Sequence, residues 1–124
     1  TKYGYLIPSN MMAAVVLEKL AEMIEKLFPQ QFDLLEQVGK ENPPSVEICS
    51  ARVRSLIYQL RADILSGINT FGVVKHERYG RIYAFETDGF ANHLLIDDAN
   101  VPSLLSAPYL GFKTPYDPDD DLLS

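Results

Sequence analysis

Cysteine is nearly missing from this sequence: Cys49 stands alone in 124 residues. No internal disulfide can form, and a metal centre built on cysteines is all but excluded. Positive charge is also scarce, with 11 Lys and Arg against 17 Asp and Glu, a formal charge of −6. A nucleic-acid partner is therefore not expected, since neutralising phosphates takes a basic patch. No apolar run approaches the roughly 18 residues of a spanning helix, so no membrane partner is expected either. Neither a basic stretch nor a small-residue cleavage site stands near Thr1, and no signal peptide is legible there. The compartment stays open, because one cysteine suits reducing and oxidising surroundings alike. What is present is ordinary for a globular domain: 47% apolar and 23% charged residues. A chain of this length makes one domain and buries roughly two-thirds of its unfolded surface.

The apolar residues are periodic in the first half. Met11, Met12, Val15, Val16, Leu20, Met23, Ile24 and Leu27 recur at spacings of three and four, which predicts a helix over Ser9–Phe28. Ser9 or Asn10 is the expected N-cap, and Pro29 stops the helix. A short helix is expected at Gln31–Val38, then a break at Asn42-Pro43-Pro44. A second long helix follows from Val46 to Asn69, with Ile48, Cys49, Val53, Leu56, Ile57, Leu60, Ile64 and Ile68 as its stripe. The two long helices read as an αα-hairpin. Beyond Phe71 the residues turn β-branched and aromatic, and Val73–Phe85 reads as a β-hairpin around Glu77-Arg78-Tyr79-Gly80. A short helix is expected at Val101–Leu105, capped by Asn100. The run from 115 to 124 reads as an exposed tail. Its Asp117-x-Asp119-x-Asp121 spacing imitates a calcium loop but has Leu122 where glycine is required, so no metal is expected there.

Residues 86–100 follow neither helix nor strand period. They hold Glu86, Asp88, Asp97 and Asp98 among Phe90, Leu94, Leu95 and Ile96. Acids in a partly apolar setting must be paired or hydrogen-bonded. Two carboxylates in different environments suit glycosidic-bond hydrolysis, with one as acid and one as base. The same residues are also turn formers and caps. Asp97 and Asp98 are neighbours and face opposite ways in extended chain, so one can face a cleft while the other holds backbone. Glu86 and Asp88 would share a face in a strand. His93 reads as structural, and Cys49 as a small core residue.

Three stretches make the chain recognisable: Tyr83-Ala84-Phe85-Glu86-Thr87-Asp88-Gly89-Phe90-Ala91-Asn92, Asp97-Asp98-Ala99-Asn100-Val101-Pro102-Ser103-Leu104-Leu105, and Pro108-Tyr109-Leu110-Gly111. With Leu6-Ile7-Pro8-Ser9-Asn10 and His76-Glu77-Arg78-Tyr79-Gly80-Arg81 they resemble glycoside hydrolase family 125, in one register over residues 3–112. The family tends to have glycine where this chain has Ala91, methionine at Ile96 and phenylalanine at Met12.

The resemblance implies an exo-α-1,6-mannosidase that needs no metal or other cofactor. It would act on mannose-containing oligosaccharides of the N-glycan type and invert the anomeric centre. The implied fold is mainly α, part of an (α/α)6 barrel, with the small β-hairpin near 73–85. Residues 1–124 would be one partial catalytic-domain segment. The family's Arg-Pro-Ser-Asp-Asp and His-Glu-Gly-Phe stretches, associated with the general acid and base, are not in this sequence. The chain thus looks like an internal fragment without the catalytic pair. Asp97, Asp98, Asn100, Glu86, Asp88 and Asn10 are the expected sugar contacts. The alternative is a truncated, non-catalytic remnant that binds sugar weakly or self-associates through exposed helix faces.

Overall fold

The computed structural model describes residues 1–29 and 46–114. The expected helix at 31–38, the break at 42–44 and the tail at 115–124 lie outside the described residues. Strand β1 is Tyr5–Leu6 and leads directly into helix α1, Ile7–Leu27. Helix α2 is Val46–Phe71. It is followed by β2 (Val73–His76), β3 (Gly80–Tyr83), β4 (Glu86–Thr87), β5 (His93–Leu94) and the four-residue helix α3 (Ala107–Leu110). The described residues are mainly helical, with two small antiparallel sheets, ordered β1-β4-β5 and β2-β3. The expected hairpin forms, pairing Val73 with Tyr83 and His76 with Gly80. Gly80 takes the left-handed φ of +71° that lets the chain re-enter the strand.

Helix α1 starts two residues before the expected point. Ser9 and Asn10 are inside its first turn and do not cap it. The Ile7 N–H, a donor with no partner inside the helix, goes instead to the Phe85 carbonyl at 2.9 Å. Pro8 follows, where its missing N–H is no loss. The expected helix at 101–105 does not form. The Leu104 and Leu105 amides that would have closed it are bound by the Asp97 carboxylate. The helical turn comes later, at α3, ended by Gly111 at φ +97° with its N–H on the Pro108 carbonyl. The Val101–Pro102 peptide is cis.

The chain divides into two compact units, Thr1–Val15 with the residues from Ile64 onward, and Val16–Asp63. The first is built on Ile7, Met11, Ile68 and Ala107, with Ile64, Tyr83, Leu104 and Phe112 packed around them. Burying a side chain such as Met11 is worth about 1.5–3 kcal/mol. Both sheets are tied to this core by backbone: Ala84 N–H to Gly72 carbonyl at 2.7 Å, and Phe85 N–H to Leu94 carbonyl at 2.9 Å.

In the second unit Glu18 meets Arg61 at 3.2 Å and Glu25 meets Arg54 at 3.8 Å. Seven residues up α1 are seven down α2, so the helices run antiparallel there, as an αα-hairpin requires. Only part of each expected stripe is covered. Ile57 is buried there together with Ala21, Ala51 and Arg54, three residues outside the expected stripes, while Val16, Leu20, Met23 and Leu27 on α1 and Val53, Leu56 and Leu60 on α2 are exposed. Cys49 is exposed as well, not a core residue. The three-to-four spacing locates an apolar stripe on a helix, but a wide stripe does not say which part of it a given neighbour covers.

Gly72 joins α2 to β2, and a Cβ there would lie 2.7 Å from the Ile68 carbonyl oxygen and 2.8 Å from Ile7 Cδ1. Gly72→Ala should lower unfolding free energy by about 1–3 kcal/mol in denaturant titration, the usual cost of overpacking.

Candidate functional site

The acidic segment starts on a strand. Glu86 on β4 pairs with Leu6 of β1, and Thr87 pairs with Tyr5 on one side and His93 of β5 on the other. Glu86 is buried, with 3% of its surface exposed. Its Oε2 accepts the Lys2 N–H at 2.7 Å and the Tyr3 N–H at 2.9 Å. The Tyr3 amide, above all, holds the carboxyl below its ordinary value, with burial opposing and the Lys2 amide adding to the depression.

Strand β4 ends at Thr87, so Asp88 does not share a strand face with Glu86. It sits in the turn that follows. Asp88 Oδ1 accepts the Phe90 N–H at 2.8 Å and the Asn92 N–H at 3.1 Å, and Oδ2 accepts Asn92 Nδ2 at 2.7 Å. These bonds, the Asn92 side chain first, lower its pKa. The turn needs two left-handed residues, Gly89 at φ +80° and Ala91 at φ +68°. Position 91 is where the family resemblance calls for glycine, and the backbone explains why.

Asp97 and Asp98 differ in their bonds, and the half of the expectation that one of them holds backbone is met by Asp97. Asp97 Oδ1 accepts the Leu104 N–H at 2.8 Å and Oδ2 the Leu105 N–H at 3.0 Å. Among the described residues Asp98 makes longer bonds, to the Asn100 N–H at 3.4 Å and Asn100 Nδ2 at 3.3 and 3.5 Å. Asp97, Asp98 and Asn100 are all exposed. Asn10 is half-buried and donates from Nδ2 to the Leu6 carbonyl at 2.8 Å. His93 bonds the Phe71 carbonyl through Nε2 at 3.0 Å.

The structure thus brings Asp98 and Asn100 together. Glu86, Asp88, Asp97 and Asn10 each bond the backbone or side chains of their own surroundings instead. Ser103 and Ser106 were not singled out from sequence, yet they knot the same loop. Ser103 N–H donates to Ser106 Oγ at 2.7 Å and Ser106 N–H to Ser103 Oγ at 3.1 Å. Their spacing of three was the available signal, since hydroxyls capture nearby amides. Among the described residues no group of three or more His, Cys, Asp or Glu could hold a metal ion. No helix among them is long and apolar enough to cross a membrane.

These residues form a polar loop of braced acids and amides on a mainly helical scaffold, and comparison with known proteins names the family. The family profile described as metal-independent alpha-mannosidase (GH125) matches residues 1–119, and the chain belongs to that family. A relative in Schizosaccharomyces pombe, the meiotically up-regulated gene 157 protein, is 38% identical over 114 residues. These are 92% of this chain and 18% of that protein. A solved Streptococcus pneumoniae structure superposes with a TM-score of 0.63 at 35% identity, over 92% of this chain and 22% of that one. It is described as a non-productive substrate complex of a metal-independent α-mannosidase with α-1,6-mannobiose. That protein has an α/α barrel fold, in keeping with the helical architecture found here. The chain spans about a fifth of the length of each relative.

Two outcomes follow from the turn and the buried acid. Ala91→Gly should raise thermal stability, by about 1 kcal/mol, because it removes the left-handed penalty of a Cβ. The depressed pKa of Glu86 means its contribution is complete above the ordinary value of 4.5 and is lost as pH falls through the lower folded value. Melting temperature should therefore drop on acidification below that value. Glu86→Gln should make the drop shallower without abolishing it, because Asp88 adds a loss of the same sign.

Proposed function

We propose that this chain is a segment of the catalytic domain of an inverting exo-α-1,6-mannosidase that acts on N-glycan-type oligosaccharides. The reading covers residues 1–124 as one such segment. Support comes from the family membership and from the related Streptococcus pneumoniae structure, whose bound sugar is α-1,6-mannobiose. In such a reaction one carboxylic acid protonates the glycosidic oxygen. A second carboxylate activates water from the opposite face, and the two stand about 6.5–9.5 Å apart. The four acids of residues 86–98 do not form that pair in this reading, and the catalytic acid and base are supplied from outside this chain.

The observation that carries the proposal for the site is the exposed Asp98–Asn100 couple on a braced loop. Their mutual bonds are long, and a sugar hydroxyl fits between them chemically. It would donate to the Asp98 carboxylate and accept from Asn100 Nδ2. Such contacts strengthen as positive charge builds on the sugar ring, which is when they lower the barrier. The exposed apolar faces of α1 and α2 are, in this reading, where further helices of the barrel pack.

The test is hydrolysis of α-1,6-mannobiose by the protein that carries this chain. Asp98→Ala should lower kcat/KM about 100-fold, equivalent to losing a strengthened charged contact in the transition state. An unchanged kcat/KM would overturn the assignment. A wild-type protein that binds mannobiose without turnover, or elutes as an oligomer on size-exclusion chromatography, would favour the non-catalytic remnant instead.

A further inference from the structure

Asp97 and Asp98 are chemically identical neighbours with different surroundings. Both oxygens of Asp97 are engaged by consecutive amides, those of Leu104 and Leu105, at 2.8 and 3.0 Å. Those amides belong to a segment fixed to the interior. Leu104 packs against the Ile7, Met11, Ile68 and Ala107 core, and Ala107 is part of it. Ser103 is 5% exposed. The Ser103–Ser106 exchange locks the same turn, and Ser106 Oγ also donates to the Ser103 carbonyl at 3.0 Å. Among the described residues the outer arm, residues 98–100, has no comparable anchor of its own. Its bonds are internal to Asp98 and Asn100.

From this we infer that Asp97 is a positioning residue for the sugar site: its carboxylate ties the outer arm to the core-anchored arm and so fixes where Asp98 and Asn100 stand. The inference rests on the mannosidase reading for its ligand and separates two residues that the sequence block presents as equals. Asp97 does not contact sugar; it acts through Asp98 and Asn100. A group held by an anchored loop presents its oxygens in one place, whereas an untethered loop must be ordered at each binding event. An asparagine cannot substitute fully. Its oxygen accepts one amide, but its Nδ2 turns a donor toward the second.

Amide hydrogen exchange and a double-mutant cycle test this in the protein that carries the chain. In Asp97→Ala, exchange at Leu104 and Leu105 should quicken, and kcat/KM for α-1,6-mannobiose should fall by about 100-fold, the scale of an ångström-sized misplacement. Asp97→Asn should give an intermediate loss. Added to Asp98→Ala, the Asp97→Ala change should lower kcat/KM by well under its effect alone of about 100-fold, because only Asn100 is left to position. Melting temperatures of all five proteins, the wild type included, normalise for the folded fraction. Unchanged exchange at Leu104 and Leu105 would overturn the brace whatever the activity does. A double mutant whose losses multiply would make Asp97 an independent contact or a purely structural residue. If Asp98→Ala leaves turnover intact, the sugar-site reading fails instead, and the positioning role fails with it.

Discussion

At the point where α1 begins and α2 ends, there is no room for a side chain on Gly72, which faces Ile7 Cδ1 at 2.8 Å from where a Cβ would stand. That contact sets the first unit. It brings Met11 and Ile68 into one cluster, and it lets the Gly72 carbonyl accept the Ala84 N–H. From Ala84 the chain passes to Phe85, whose carbonyl accepts the first N–H of α1 and whose N–H donates to the Leu94 carbonyl. The polar loop stands on this base, because its inner arm is packed on the same cluster.

The acids then stabilise backbone that has no regular partner. Glu86, Asp88 and Asp97 each accept two main-chain N–H groups, residues 2 and 3, 90 and 92, and 104 and 105. A carboxylate is the strongest side-chain acceptor for such amides, and short irregular chain has many to satisfy. Three acids used this way leave Asp98 distinct by its contacts.

Legibility from sequence followed the range of the interactions. The long helices and the 73–85 hairpin were readable because periodicity and turn residues are local signals. The sheet that joins β1 to β4 and β5 was not, since its strands have two residues each and show no alternation. The start of α1 depends on Phe85, more than seventy residues away in sequence, and so Ser9 and Asn10 looked like caps. The missing helix at 101–105 has the same origin in Asp97. At the site, the rule that adjacent residues face apart foretold that one of Asp97 and Asp98 would hold backbone. Which one does so depends on the amides within reach, and no single-sequence pattern contains that. The left-handed backbone at Ala91 was visible only as a departure from a familiar glycine.

Both helix-to-strand joins in the first unit are almost without linker. Leu6 ends β1 and Ile7 begins α1, while Gly72 alone separates α2 from β2. A residue inserted at either join would rotate the helix by about 100° against its sheet and turn the strand over as well. Neither error could be absorbed by slack chain. Length differences tolerated over evolution should therefore avoid positions 6–7 and 71–73. A gap placed there in any comparison of related chains would indicate misplaced register before it indicated a genuine insertion.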